Sequence, residues 1–163
     1  MKKIRLGVNI DHVATLRNAR GEDFPNLLEV SLILKKLNVD LITVHLREDR
    51  RHINDKDLED LKNQNVLPLN LEMAATNEMK KICLNLKPYA CCIVPEKREE
   101  LTTEGGLNVK DQRGYLSEFI SEINNAGIKS SLFIDPDADQ ILAAKDVGAS
   151  AVEIHTGSFS RAF

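Results

Sequence analysis

Tryptophan is absent from the 163 residues, and aromatic residues make up only 4% of them. That leaves no material for the stacking platforms that hold single-stranded nucleic acid. Positive charge is not in excess either: the formal charge is −3 and the pI is about 5.8. A general nucleic-acid or membrane-surface binder needs a broad basic face, so any anion site must be local. The three cysteines, Cys83, Cys91 and Cys92, form no C-x-x-C pair. An odd set with two neighbours is not a disulfide framework and points to a reducing cytoplasm. No apolar run approaches membrane-spanning length. The run behind Met1-Lys2-Lys3 is broken by Asn9 and ends at Asp11-His12, so it does not read as a secretory signal. With these classes set aside, 42% apolar residues over this length describe one globular domain with a core.

A strand-then-helix rhythm runs through the chain. Ile4 to Ile10 reads as a strand, with Leu6, Val8 and Ile10 on one face and Gly7 and Asn9 on the other. A polar loop, Asp11 to Asp23, follows; Asp23 then serves as a plausible N-cap to a helix starting at Pro25. Leu41 to His52, LITVHLREDRRH, begins as a half-buried strand that alternates Ile42, Val44 and Leu46 with Thr43, His45 and Arg47. It emits a loop with no apolar member from Glu48 to His52, carrying Arg50, Arg51 and His52. A strand tip feeding a cationic loop suggests an anionic ligand. Further helices are expected at Asp55–Gln64, Ala74–Leu86, Tyr115–Ala126 and Asp137–Val147. The remaining strands are expected at Val66–Glu72, Ala90–Val94, Ile128–Ile134 and Ala151–Thr156. The charged stretch Pro95–Arg113 reads as a solvated loop or a ligand-covering lid.

Six strand–helix alternations with short connections describe an α/β protein with a parallel sheet. In an open sheet covered by helices on both sides, both strand faces should be apolar. Here strands one, two, three and six carry polar groups on one face, increasingly toward their C-terminal ends. That pattern leads to the expectation of a TIM (β/α)8 barrel with an active site at its top. Such a barrel needs eight strands and typically ~250 residues. The expectation is therefore a single domain over residues 1–163 that supplies about six β/α units and lacks a C-terminal portion.

The polar strand-end groups are Asn9, Asp11, His12, His45, Arg47, Glu72, Glu153 and His155. A lone buried Asn or His is more often a satisfied core group than a catalyst. Four strands placing their odd polar residue at the same end is harder to ascribe to packing. The segments GVNIDHVATLRNARG (Gly7 to Gly21), ITVHLREDRRHI (Ile42 to Ile53), NLEMA (Asn70 to Ala74), CCIVPEKREELTTEGGL (Cys91 to Leu107) and EIHTG (Glu153 to Gly157) together resemble those of the pyridoxine 5′-phosphate synthase family. The resemblance implies a TIM-barrel transferase of de novo vitamin B6 synthesis. Its members condense 3-amino-2-oxopropyl phosphate with 1-deoxy-D-xylulose 5-phosphate, giving pyridoxine 5′-phosphate, phosphate and water. No metal and no organic cofactor take part, and the family assembles as homo-octamers.

By the same resemblance Glu72 is a general base, suited if partial desolvation raises its pKa toward neutrality. His45 is a second acid/base group, and Glu153 stabilises positive charge developing on imine and enamine intermediates. Asn9 and Arg20 contact the amino-ketone phosphate, while Asp11, His12, Arg47, His52 and Thr102 hold the deoxyxylulose phosphate. Two phosphorylated substrates explain why an acidic protein keeps guanidinium groups here. Arg50 and Arg51 read equally well as a solvated loop, and His155 as a packed neighbour. Thr103, Gly105 and Gly106 could form a flexible turn. Family members continue through two more strands bearing a further histidine and glycine-containing phosphate loops, so a chain ending at Phe163 is expected to show no measurable synthase activity. One rival is a metal-dependent TIM-barrel lyase or epimerase acting on a sugar phosphate, since His45, Glu72, Glu153 and His155 are competent ligands, although no H-x-H or H-E-x-x-H spacing supports it. The other is a nucleic-acid-binding module built on the arginines of the second strand's loop.

Overall fold

The computed structural model describes residues 4–96 and 105–162. The chain divides into two compact units, Met1–Glu72 and Met73–Phe163. The first contains β1 (Gly7–Asn9), α1 (Asp11–Arg20), α2 (Leu27–Lys36), β2 (Leu41–His45) and α3 (Asp55–Gln64), and β3 (Leu69–Met73) ends it. The second contains α4 (Asn77–Leu86), β4 (Ala90–Ile93), α5 (Arg113–Asn125), β5 (Lys129–Ile134), α6 (Ala138–Asp146), β6 (Ala151–Ile154) and α7 (Gly157–Arg161), with a 3-10 turn at Lys110–Gln112.

The strands follow sequence order, β1-β2-β3-β4-β5-β6, and the sheet is open, with β1 and β6 as its edges. This corrects the expectation of a TIM barrel: the described residues form six parallel strands in an open sheet, not a closed eight-stranded barrel. The edges show in the burial. Gly7 and Asn9 of β1 are exposed, as is every residue of β6. A polar strand face implies only that no apolar helix layer covers it. Closure depends on strand number, tilt and shear, none of which is encoded in side-chain alternation.

In the first unit, β2 and β3 pair in parallel, Ile42 opposite Leu69 and Val44 opposite Leu71. These four side chains and Leu58 and Leu61 of α3 are buried. Each contributes roughly 1.5–3 kcal/mol by leaving water. The second unit buries Ile93, Leu116, Phe119, Ile120, Ile123, Leu132 and Ile134 in the same way. Helix starts follow side-chain capping. Thr76 accepts the Met79 N–H, Asp137 accepts the Asp139 N–H, and Asn54 with Asp57 forms a reciprocal capping box at α3. The start of α2 is capped by Asn26, which accepts from the N–H groups of Leu28 and Glu29 at 2.8 and 3.2 Å, rather than by Asp23.

The largest local departure from expectation is α1, a helix where a polar loop was expected. Only Asp11 and Ala14 of its ten residues are buried, so no apolar stripe announces it. Gly21 ends it in the left-handed region at φ 68°, its N–H returning to the carbonyls of Arg17 and Asn18, where glycine is the least strained residue. Within the stretch expected to be loop or lid, the described part is anchored: Leu107 and Val109 are buried, and α5 begins at Arg113.

Candidate active site

On one face of the first unit, the strand register arranges polar side chains in rows. Asn9 stands opposite Thr43, Thr43 opposite Asn70, and His45 opposite Glu72. The Asn70 carboxamide donates to the Thr43 hydroxyl at 3.3 Å, which confirms that the row shares a face. Neighbouring strands lie ~4.8 Å apart, so the His45 imidazole and the Glu72 carboxylate stand side by side at the C-terminal ends of β2 and β3. His45 is buried and Glu72 half-buried. Two proton-transfer groups next to one another can serve a single substrate.

Asp11 bolts these strand ends together. One carboxylate oxygen accepts the backbone N–H of His45 at 2.8 Å and the other accepts the Asn9 carboxamide at 2.9 Å. Asn9 in turn accepts the Asp11 N–H at 2.9 Å. Asp11 is 7% exposed, and this geometry gives it a second duty besides any contact with substrate: it fixes where His45 stands.

The helix α1 that Asp11 opens is held by polar grips. Arg17 makes a two-pronged ion pair with Asp57 of α3, its Nη2 lying 2.9 Å from Oδ2. The Asp57 bond, the largest influence, holds the Arg17 guanidinium's pKa above its ordinary value. A cavity of about 230 Å³ lined by Arg17, Asp23, Asn26, Lys56, Asp57 and Asp60 surrounds this pair. The Asn18 carboxamide donates to the carbonyls of His52 and Arg51 at 2.9 and 3.3 Å. Thr15 meets the ring of His52, its Oγ1 lying 2.7 Å from Nδ1. The rings of His12 and His52 are 5.8 Å apart, tilted by 34°. Thr15 and Asn18 were not singled out by sequence; the signal was the helical spacing of Asp11, Thr15 and Asn18, at i, i+4 and i+7.

The cations after β2 divide into two kinds. Arg47 is 3% exposed, with Nε 4.0 Å from Asp49. Arg50 reaches Asp55 at 3.2 Å and the Glu48 carbonyl at 2.8 Å. Arg51 grips Asp49 at 2.6 Å, and that bond is the main cause of the Asp49 carboxyl titrating below its usual range. Arg50 thus pairs with the first residue of α3 and Arg51 with a carboxylate of its own loop, as a solvated loop would. Burial, the largest influence, pushes the His52 imidazole below its ordinary pKa; the Asp11 charge opposes this, while His12, Arg51 and Arg47 add to it. Arg20, at the end of α1, pairs at the surface with Glu22 at 3.0 Å and does not join the Asp11–His45 group.

In the second unit, Glu153 lies on β6 opposite Phe133 of β5 and is exposed. His155, two residues further, packs its ring 5.3 Å from that of Phe133, and its Nδ1 lies 3.0 Å from Asp135. Asp135 titrates below the usual carboxylate range, chiefly because it accepts the Gly106 N–H and secondarily because of His155. Gly106 is required by close approach: a Cβ there would lie 2.1 Å from the Asp135 nitrogen. Gly105 beside it adopts φ 81°. Thr102 and Thr103 lie outside the described residues. Among the described residues, no group of three or more His, Cys, Asp or Glu could hold a metal ion, and no helix is long and apolar enough to cross a membrane.

A parallel α/β architecture with polar groups gathered at the C-terminal ends of its strands defines a class in which function resides at those ends. Among solved structures, the flavin-binding domain of baker's yeast flavocytochrome b2 shares this fold, with a TM-score of 0.60 and 15% identity over 94% of this chain and 43% of that one. D-psicose 3-epimerase from Clostridium cellulolyticum H10 does so with a TM-score of 0.55 and 11% identity over 93% and 62%. At such identities the likeness is one of fold alone. The chain belongs to the PdxJ family, pyridoxal phosphate biosynthesis protein PdxJ, whose pattern it matches over residues 6–163. It is 54% identical over 159 residues to the pyridoxine 5′-phosphate synthase of Thioalkalivibrio sulfidiphilus, covering 98% of this chain and 65% of that protein. The synthase of Ehrlichia chaffeensis is 55% identical, with 98% and 66% covered, and that of Rhodospirillum rubrum 56%, with 96% and 63% covered. The chain thus spans just under two thirds of the length of these relatives.

Proposed function

We propose that the protein is a pyridoxine 5′-phosphate synthase that condenses 3-amino-2-oxopropyl phosphate with 1-deoxy-D-xylulose 5-phosphate, releasing phosphate and water. Family membership supports the reaction. The observation that carries the assignment of roles is the in-register pair His45 and Glu72 at adjacent strand ends, with the His45 backbone bolted by Asp11.

In this reading the substrate amine attacks the sugar ketone, so carbon–nitrogen bond formation needs no protein nucleophile. Glu72 removes protons as general base, and His45 takes and returns them near neutral pH. Glu153 stabilises cationic nitrogen in the imine and enamine intermediates. Asn9 and Arg20 hold the amino-ketone phosphate; Asp11, His12, Arg47, His52 and Thr102 hold the deoxyxylulose phosphate. The reaction takes place in the cytoplasm, a setting supported by three buried cysteines, none of them in a disulfide. Assembly as an octamer is part of the proposal. Exposed Leu16, Phe24, Leu32, Ile33 and Leu37 of the first unit supply apolar surface for such contacts, and light scattering measures the mass.

Incubating protein extended to the full length of its relatives with both substrates and following pyridoxine 5′-phosphate absorbance tests the reaction. Glu72→Gln should lower kcat by about 10²–10⁴-fold with a much smaller change in KM. Unchanged turnover would remove Glu72 as the base, and no product from unsubstituted protein extended to the full length of its relatives would end the synthase reading.

A further inference from the structure

The Thr15 hydroxyl has one proton to give and two neighbours that could take it, the Asp11 carbonyl, which only accepts, and Nδ1 of His52, which accepts or donates according to its tautomer. The Asp11 carbonyl, one helical turn back, is 3.2 Å away, and Nδ1 of His52 is 2.7 Å away. At 2.7 Å the contact to His52 lies at the usual hydroxyl-donor distance, while 3.2 Å is long for a hydroxyl donor; the shorter contact is the better place for that proton.

We propose that Thr15 is a positioning residue that sets the tautomer of His52, keeping Nδ1 as an acceptor so that Nε2–H is presented as a donor to a substrate phosphate. This rests on the reading above in which His52 holds the phosphate of 1-deoxy-D-xylulose 5-phosphate. The choice of tautomer matters because a neutral imidazole has a single N–H. With that hydrogen on Nδ1, the ring would turn a lone pair toward an anion; with it on Nε2, the ring donates to the anion. The neutral ring is favoured here by burial and by the neighbouring cations Arg47 and Arg51 and the His12 ring, against the single opposing charge of Asp11.

The main chain at His52 is held independently of Thr15. The Asn18 carboxamide grips its carbonyl and that of Arg51, and Arg17 ties α1 to Asp57. Removing the Thr15 hydroxyl should therefore free the tautomer while leaving the backbone in place. α1 thus works as a jig: one polar contact places the histidine and another selects its proton.

The test is imidazole-nitrogen NMR at neutral pH on protein labelled in histidine, with His52 assigned through His52→Gln, together with steady-state kinetics on protein extended to the full length of its relatives. The expected result is an Nε2–H tautomer in the native protein and in Thr15→Ser, and a mixed or inverted tautomer in Thr15→Val. KM for 1-deoxy-D-xylulose 5-phosphate should rise on the order of tenfold in Thr15→Val, kcat should change far less, and Thr15→Ser should restore the native value. A native Nδ1–H tautomer, or a Thr15→Val spectrum identical to native, overturns the proposal. If Thr15→Val does not fold, the native and Thr15→Ser tautomers decide. An Nε2–H tautomer in protein that is extended to the full length of its relatives and still makes no product overturns the synthase reading and upholds the tautomer assignment. The reverse result does the opposite.

Discussion

Asp57→Ala is the most informative single perturbation of the first unit, because one carboxylate does two things there. It accepts both prongs of the Arg17 guanidinium and it accepts the Asn54 N–H at 3.0 Å, while the Asp57 backbone N–H, which alanine keeps, makes the other half of the capping box. The two side chains are 14% and 10% exposed. Removing one member of a fully buried pair costs about 3–5 kcal/mol, and the partial exposure of Arg17 brings that to about 2–3 kcal/mol. Losing half the capping box adds about 0.5–1 kcal/mol. The expected loss is therefore about 2.5–4 kcal/mol, a large share of a typical 5–15 kcal/mol. Urea unfolding measures it as a fall in midpoint at unchanged slope. A double-mutant cycle with Arg17→Ala should return a coupling of about 2 kcal/mol. A loss below about 1 kcal/mol, or a coupling near zero, would refute the claim that this pair holds α1.

Gly106→Ala forces a Cβ to within 2.1 Å of the Asp135 backbone and should cost about 1–3 kcal/mol or more. Gly114→Ala, in the first turn of α5 with open space around it, should be neutral or gain about 0.5 kcal/mol; equal thermal shifts in the two variants would contradict this. The His52 ring should titrate below 6.5, its ordinary value. Because its folded pKa is depressed, the stability it contributes is present above 6.5 and is lost as pH falls through the folded value. His52→Gln should flatten that acid limb in thermal melts, and an NMR midpoint at or above 6.5 would count against burial as the dominant influence.

Much of the candidate site was legible because alternation is a local property. The period of two in LITVHLR assigns Thr43, His45 and Arg47 to one face, and the same period in the third strand assigns Asn70 and Glu72. The start of α3 was expected at Asp55, and the structure shows Asn54 and Asp57 capping it there. The first helix was not legible. Ten residues with two buried have no apolar stripe, and its stability comes from Arg17, Asn18 and Thr15 finding partners in α3 and in the loop after β2. Closure of the sheet was misjudged for a related reason: a polar face reports what does not cover a strand, not how many strands lie beside it.

By itself, then, the sequence determined the strand–helix order, the polar ends of the strands and the family. Those follow from side-chain periodicity and motif, which every short segment carries within itself. Only the tertiary structure decided that the Asp11 carboxylate fastens the His45 backbone 34 residues away, that Arg17 belongs to Asp57, and that the sheet stays open at β1 and β6. Such pairings are made between segments that share no local pattern. They exist only once burial has brought carboxylate, guanidinium and backbone N–H groups together where water no longer competes for them.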